Sequence, residues 1–186
     1  MKRCSWVKEN NQEYIDYHDL EWGEPIHDDR LHFEMLILEG AQAGLSWETI
    51  LKKRNGYQKA FDNFDVEKVS NYDEKKVQSL LEDSHIVRNR LKINSAIFNA
   101  RVFISIQNEF GSFDQYIWLF VNNTPIINRH PSLSFVPTKT ALSDLISNDL
   151  KRRGMKFVGS TIIYSYLQAV GIVNDHTQDC YKCLPQ

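Results

Sequence analysis

One acid inside an otherwise apolar helical stretch constrains this chain more than any other feature. Phe33, Leu36, Ile37, Ala41 and Gly44 recur at helical spacing and predict the buried stripe of an α-helix ending near Gly44. Glu39 interrupts that run between Leu38 and Gly40. A carboxylate there either faces water or is held inward for a purpose, because burying it uncompensated is costly. The sequel Ala43-Gly44-Leu45-Ser46-Trp47 breaks the helix, then presents an apolar side chain and an indole. An acid, a turn and a flat aromatic this close together can line a pocket for a planar, hydrogen-bonding or cationic ligand.

The 186 residues, 42% hydrophobic and 25% charged, suffice for one domain with a sizeable core. No apolar run approaches membrane-spanning length, and Met1 to Trp6 leads into polar sequence without a signal-peptide core, so a soluble cytoplasmic protein is expected. A net charge of −2 excludes general electrostatic coating by nucleic acid and restricts DNA contact to a local basic patch. Three cysteines without a secretory signal do not form a disulfide framework; metal ligation or burial is the better expectation.

The first thirty residues combine Trp6, Tyr14, Tyr17 and Trp22 with Cys4 and His18 and lack long helical periodicity, which predicts an irregular aromatic cap. Asp28 or Asp29 can cap the helix carrying Glu39, and Ser46 the next one, which runs through Lys52-Lys53-Arg54 to Gly56. Further helices are predicted at 57–61, 66–69, around Val77 to Leu81, at 91–107 behind the basic Arg88, Arg90 and Lys92, and at 113–121. The segment 122–140 holds Pro125, Pro131 and Pro137 without a period of its own and reads as an ordered connection. No β-strand pair is expected.

From Ala141 the pattern sharpens. Leu142, Leu145, Ile146 and Leu150 form one apolar face ending in Lys151-Arg152-Arg153-Gly154, and after Met155 to Ser160 a second helix runs through Ile162, Ile163, Tyr166, Leu167 and Val170 to Gly171. Two helices joined by a basic, glycine-bearing turn form a helix-hairpin-helix whose backbone N–H groups around Gly159 can face a phosphate without reading bases. Lys151, Arg152 and Lys156 would add charge there. The bland alternative is an αα-hairpin with a solvated basic end.

His176 and Cys180 are spaced to share one face of a helical turn, and Cys4 with His18 supplies a second pair. As a Cys2His2 zinc site they would be structural, since four protein ligands leave no open position, and would tether the two ends of the chain. Each could equally be a buried thiol or a surface imidazole, and Cys183 is an alternative ligand.

Taken together, RCSWV at 3–7, YHDLEWGEP at 17–25, FEMLILEGAQAGLSW at 33–47, FVNNTPI at 120–126, LKRRGMKFVGSTI at 150–162 and GIVNDH at 171–176 carry a family likeness. The chain resembles the DNA-3-methyladenine glycosylase I family of the helix-hairpin-helix glycosylase superfamily. The resemblance implies an all-α helix-hairpin-helix glycosylase fold in a single domain over 1–186. Its parts would be a helical core at 28–122, a hairpin at 141–171, and irregular termini at 1–27 and 172–186 joined by one structural Zn2+ on Cys4, His18, His176 and Cys180.

The same resemblance implies a base pocket of Tyr17, Glu39 and Trp47 with Trp6, Tyr14 and Trp22 nearby. It implies DNA contacts at Gly44, Leu45, Lys151, Lys156, Gly159 and Ser160, with Leu45 as the apolar plug. The implied activity is monofunctional hydrolysis of the N-glycosidic bond of 3-methyladenine in double-stranded alkylated DNA, by a monomer with no membrane partner, releasing the free base. Glu39, ionised, would accept hydrogen bonds from a flipped cationic base and is the catalytic candidate. Asp175 lies near the position of a superfamily catalytic aspartate but beside a zinc ligand, and is not assigned that role. The departures are Leu91, where the family often has Gly, and Met155, where Phe is usual. On the residues alone, a non-catalytic DNA-binding module and a zinc-stabilised interaction domain remain alternatives.

Overall fold

The computed structural model describes residues 1–183; the last three residues of the expected C-terminal segment, 184–186, lie outside the described residues. Its organising element is α2 (Asp29–Gln42), in which every residue from 32 to 41 is buried. A helix covered on all sides belongs at a domain centre. Around it pack α3 (Trp47–Ala60), α6 (Arg90–Phe110), α7 (Phe113–Leu119) and α9 (Ser160–Ala169). Phe33, Met35, Leu36 and Leu38 are almost wholly buried, each worth about 1.5–3 kcal/mol relative to an exposed side chain. Asp28, not Asp29, is the N-cap, its carboxylate accepting from Leu31 N at 2.8 Å. Asp29 instead accepts from the backbone N–H groups of Phe113 and Asp114 at the start of α7.

Ser46 caps α3 as expected, but α3 continues through Gly56 to Ala60 instead of stopping. The glycine is there for contact: a Cβ on it would sit 2.5 Å from the His85 carbonyl oxygen. The N-terminal segment also contains a helix the sequence did not announce, α1 (Gln12–Leu20), capped by Asn11. It is short and polar, and buries only Tyr14, Tyr17 and His18, too few turns to register as a period. α4 (Val66–Ser70) and α5 (Glu74–Glu82) flank α6.

The proline-bearing connection is anchored by two residues of parallel pairing absent from the sequence reading. β1 (Ile126–Ile127) lies beside β2 (Val173–Asn174), with Ile126 N donating to Ile172 O at 2.9 Å. Next come α8 (Ala141–Arg152), opened by a Thr140–Ser143 capping box, and α9, joined by 153–159. Of the apolar face expected on α8, Ile146 and Leu150 are buried, whereas Leu145 is 57% exposed. No described helix is long and apolar enough to cross a membrane.

Candidate active site

Two acids of α2 are buried, and their surroundings differ. Glu34 is met by Arg54 Nε at 2.7 Å, Arg30 at 3.2 Å and Gln58 at 3.1 Å, so its charge is balanced. Glu39 is 4% exposed, and its Oε2 is sealed from solvent and meets no donor. The inward alternative for Glu39 is therefore the one the fold adopts. Burial pushes this carboxyl up to about 8. Near pH 7 burial thus favours the neutral carboxyl, and a cationic neighbour would favour the ionised form expected from the sequence.

Glu39 opens onto a cavity of about 380 Å³ that brings together Trp6, Tyr14, Tyr17, Trp22, Glu39 and Trp47. The rings interlock: Trp6 sits 5.7 Å from Tyr14 and 5.0 Å from Trp22, both edge-on. Tyr17 and Trp47 are 5.3 Å apart and tilted by 50°. A base stacked between two rings needs about 3.5 Å on each side, so this pair must part to hold one. Trp47 Nε1 is a second sealed polar atom without a partner, and such orphans are uncommon in native interiors.

Sequence reasoning missed more than half of the cavity lining. Thr161, Tyr164, Ser165 and Gln168 line it from α9. They recur at helical spacing, so a polar stripe on an otherwise apolar helix was the available signal. Leu133, Val136, Pro137 and Thr138 close the cavity from the connection, and Gln42 from the end of α2. These loop positions have no periodicity to read.

The turn after α2 places Gly44 (φ +78°) and the 41%-exposed Leu45 on the surface. Lys92 holds this turn, donating to Ala41 O at 2.8 Å and Ala43 O at 2.7 Å. In the segment between α8 and α9, Asn99 of α6 exchanges two hydrogen bonds with the Lys156 backbone. Gly159 is the N-cap of α9 and has nothing within 4 Å of where a Cβ would be, so nothing within the chain requires glycine there. Ser160 shares a 2.8 Å hydrogen bond with Ser143. Lys151 and Lys156 are exposed and make no ion pair among the described residues. Arg152, expected to add charge, is instead paired with Asp149. Leu91 is exposed, and Met155 is buried beneath the turn.

At the other end, Cys4, His18, His176 and Cys180 are all buried, with their ligand atoms within 4.8 Å of one another. Cys4 Sγ to His176 Nδ1 and Cys180 Sγ to His176 Nδ1 are both 3.5 Å, and Cys180 Sγ to His18 Nε2 is 3.4 Å. Tetrahedral zinc with Zn–S of about 2.3 Å and Zn–N of about 2.0–2.1 Å requires S···N separations of about 3.5 Å. The outer ring nitrogens are engaged as well: His18 Nδ1 with Asp19 at 2.7 Å and His176 Nε2 with Trp22 O at 3.1 Å. Asp19 is itself gripped by Arg3 at 2.7 Å. The residues fit the metal; Cys183 lies outside the cluster.

Comparison with known proteins gives the family. A family model described as methyladenine glycosylase matches residues 6–183. DNA-3-methyladenine glycosylase 1 of Escherichia coli (strain K12) is 47% identical over 185 residues, covering 100% of this chain and 98% of that protein. DNA-3-methyladenine glycosylase of Haemophilus influenzae (strain ATCC 51907 / DSM 11121 / KW20 / Rd) is 43% identical over 178 residues, covering 96% of each. A crystal structure of a 3-methyladenine DNA glycosylase I (TAG) superimposes with a TM-score of 0.95 at 46% identity, over 99% of this chain and 100% of that one. The Staphylococcus aureus 3-methyladenine DNA glycosylase I, solved to explain 3-methyladenine recognition, gives 0.95 at 33% identity over 100% and 98%. These matches put the fold among those of the 3-methyladenine DNA glycosylases. The chain belongs to the methyladenine glycosylase family.

Proposed function

We propose that this chain removes 3-methyladenine from alkylated DNA by hydrolysing its N-glycosidic bond, the first step of base excision repair. The single observation that carries the reading is the unpartnered Glu39 carboxyl, buried among tryptophans and tyrosines in a member of this family. Methylation at N3 leaves the base cationic in DNA. The bond from the base to C1′ of deoxyribose therefore breaks with the electron pair going to a base that departs neutral. Water adds to C1′ and loses a proton, leaving an abasic site. Little acid catalysis is needed, so the protein's tasks are extrusion, recognition and water placement.

Glu39 ionises as the cation arrives and accepts hydrogen bonds from the exocyclic amine and ring edge. Normal adenine brings no charge to offset the burial of that carboxylate. Tyr17 and Trp47 stack on the base, with Trp6, Tyr14 and Trp22 shaping the slot. Leu45, at the turn held by Lys92, fills the gap left in the duplex. α8 and α9 act as the helix-hairpin-helix: backbone N–H groups at Gly159 and Ser160 take a phosphate, and Lys151 and Lys156 add charge. Cys4, His18, His176 and Cys180 would hold Zn2+, which supplies a structural cross-link between the chain ends and takes no part in the reaction.

The test is release of free base from N-methylated DNA by the purified chain. Release of 3-methyladenine, with strand scission only after alkali, supports the reading. DNA binding without base release would leave a non-catalytic module.

A further inference from the structure

Asp175 is 1% exposed and serves no step described above. Its carboxylate gathers three donors: the Tyr164 hydroxyl, Gln168 Nε2 at 2.7 Å and Asn128 Nδ2 at 2.7 Å. His130 Nε2 also lies 3.3 Å from Oδ1, without hydrogen-bond geometry. Tyr164 and Gln168 line the base cavity from α9. Asn128 and His130 belong to the connection whose continuation, through Leu133 to Thr138, also lines the cavity. One buried acid thus joins two walls of the pocket.

The orientation of Gln168 follows from donor and acceptor capacity. A carboxylate that already receives other donors accepts only, so the Gln168 NH2 group is the end turned toward Asp175. The carboxamide oxygen is then the polar atom left for another partner, on a side chain that lines the cavity. Its main chain is fixed too: Gly23 N donates to Gln168 O at 2.9 Å. Glu39, whose carboxyl has no hydrogen-bond partner on Oε2, lines the same cavity.

We propose that Asp175 is a positioning residue that acts through Gln168, presenting the Gln168 carboxamide oxygen to the pocket as a second hydrogen-bond acceptor. The inference rests on the glycosylase reading and gives it a specificity. Two acceptors suit a purine that offers an exocyclic amine and oppose one that offers a carbonyl oxygen at the same edge. Asp175 and Gln168 therefore contribute to preference for 3-methyladenine over 3-methylguanine. Asp175→Asn offers an NH2 group where the parent could only accept, which removes the constraint on the Gln168 amide and lets its NH2 group turn into the pocket.

The experiment measures excision of both methylated purines from DNA by the parent chain, Asp175→Asn, Gln168→Met and the double variant, with metal content and thermal stability as controls. The expected result is a fall of about tenfold in the 3-methyladenine to 3-methylguanine ratio for each single variant. The double variant should be no worse than Gln168→Met, because Asp175 has nothing left to orient. An unchanged ratio in Gln168→Met, or losses that multiply in the double variant, overturns the proposal. A purely structural Asp175 would lower both activities and stability together and leave the ratio alone. If Asp175→Asn does not fold, the ratio in Gln168→Met decides by itself. A chain that is no glycosylase gives a different result: the parent would release neither base.

Discussion

Replacing Glu39 with glutamine should separate activity from stability in opposite directions, with a pH signature in each. Burial raises the carboxyl from 4.5 to about 8, equivalent to about 5 kcal/mol at 1.36 kcal/mol per pH unit, as an upper bound. The folded protein holds this proton more tightly than the unfolded chain does. The associated stability is full below about pH 4.5 and is lost as pH rises through about 8. The Glu39→Gln variant has no charge to bury at this position. The stability difference in its favour should therefore grow from near zero at pH 4.5 to several kcal/mol at pH 8, read by urea unfolding across that range.

Excision should respond the other way. At pH 8 the variant loses charged hydrogen bonds worth about 1.5–3 kcal/mol, a tenfold to hundredfold loss at about 1.4 kcal/mol per decade. Parent activity should climb from pH 6 to about pH 8 as Glu39 becomes easier to ionise and then flatten, while the variant stays flat, so the gap narrows toward pH 6. Parallel pH profiles for parent and variant, or a stability difference independent of pH, would refute the assignment of that titration to Glu39.

Three further outcomes are expected. Purified protein should carry one zinc per chain, and Cys4→Ser and His176→Ala should lose it with a marked drop in Tm; full metal and unchanged Tm in both would remove the metal assignment. Gly159→Trp should weaken binding to DNA of any sequence and leave affinity for free 3-methyladenine unchanged, since its open N-cap position faces outward; equal loss of both counts against a phosphate contact there. Lys92→Met frees the carbonyls of Ala41 and Ala43 and should lower affinity for abasic-site DNA about tenfold, with free-base affinity retained; an unchanged DNA affinity would separate Lys92 from the Leu45 turn.

Features written in local chemistry were legible in the sequence. The Asp28-Asp29 pair and Ser46 announced helix starts, the apolar run around Glu39 announced the central helix, and the aromatic blocks supplied residues that line one cavity with Glu39. The cavity's other wall was not legible. The polar stripe of Thr161, Tyr164, Ser165 and Gln168 reads as an ordinary helix surface until tertiary packing turns it inward, and Leu133 to Thr138, which follow the β1–β2 pairing, have no periodicity to read. Gly56 resembled a helix end, although it marks where the His85 backbone approaches α3. The Cys and His pairs were too far apart in sequence for their spacing to prove a site; folding brings all four within 4.8 Å.

The most direct test of the pocket is a crystal structure of this chain with free 3-methyladenine. The expected result is a base lying against Tyr17 and Trp47, the two rings moved apart from their 5.3 Å contact, with the Glu39 carboxylate within hydrogen-bond distance of its amine edge. A base bound elsewhere, or one that leaves Glu39 without a donor, would contradict the assignment of Glu39 to lesion recognition.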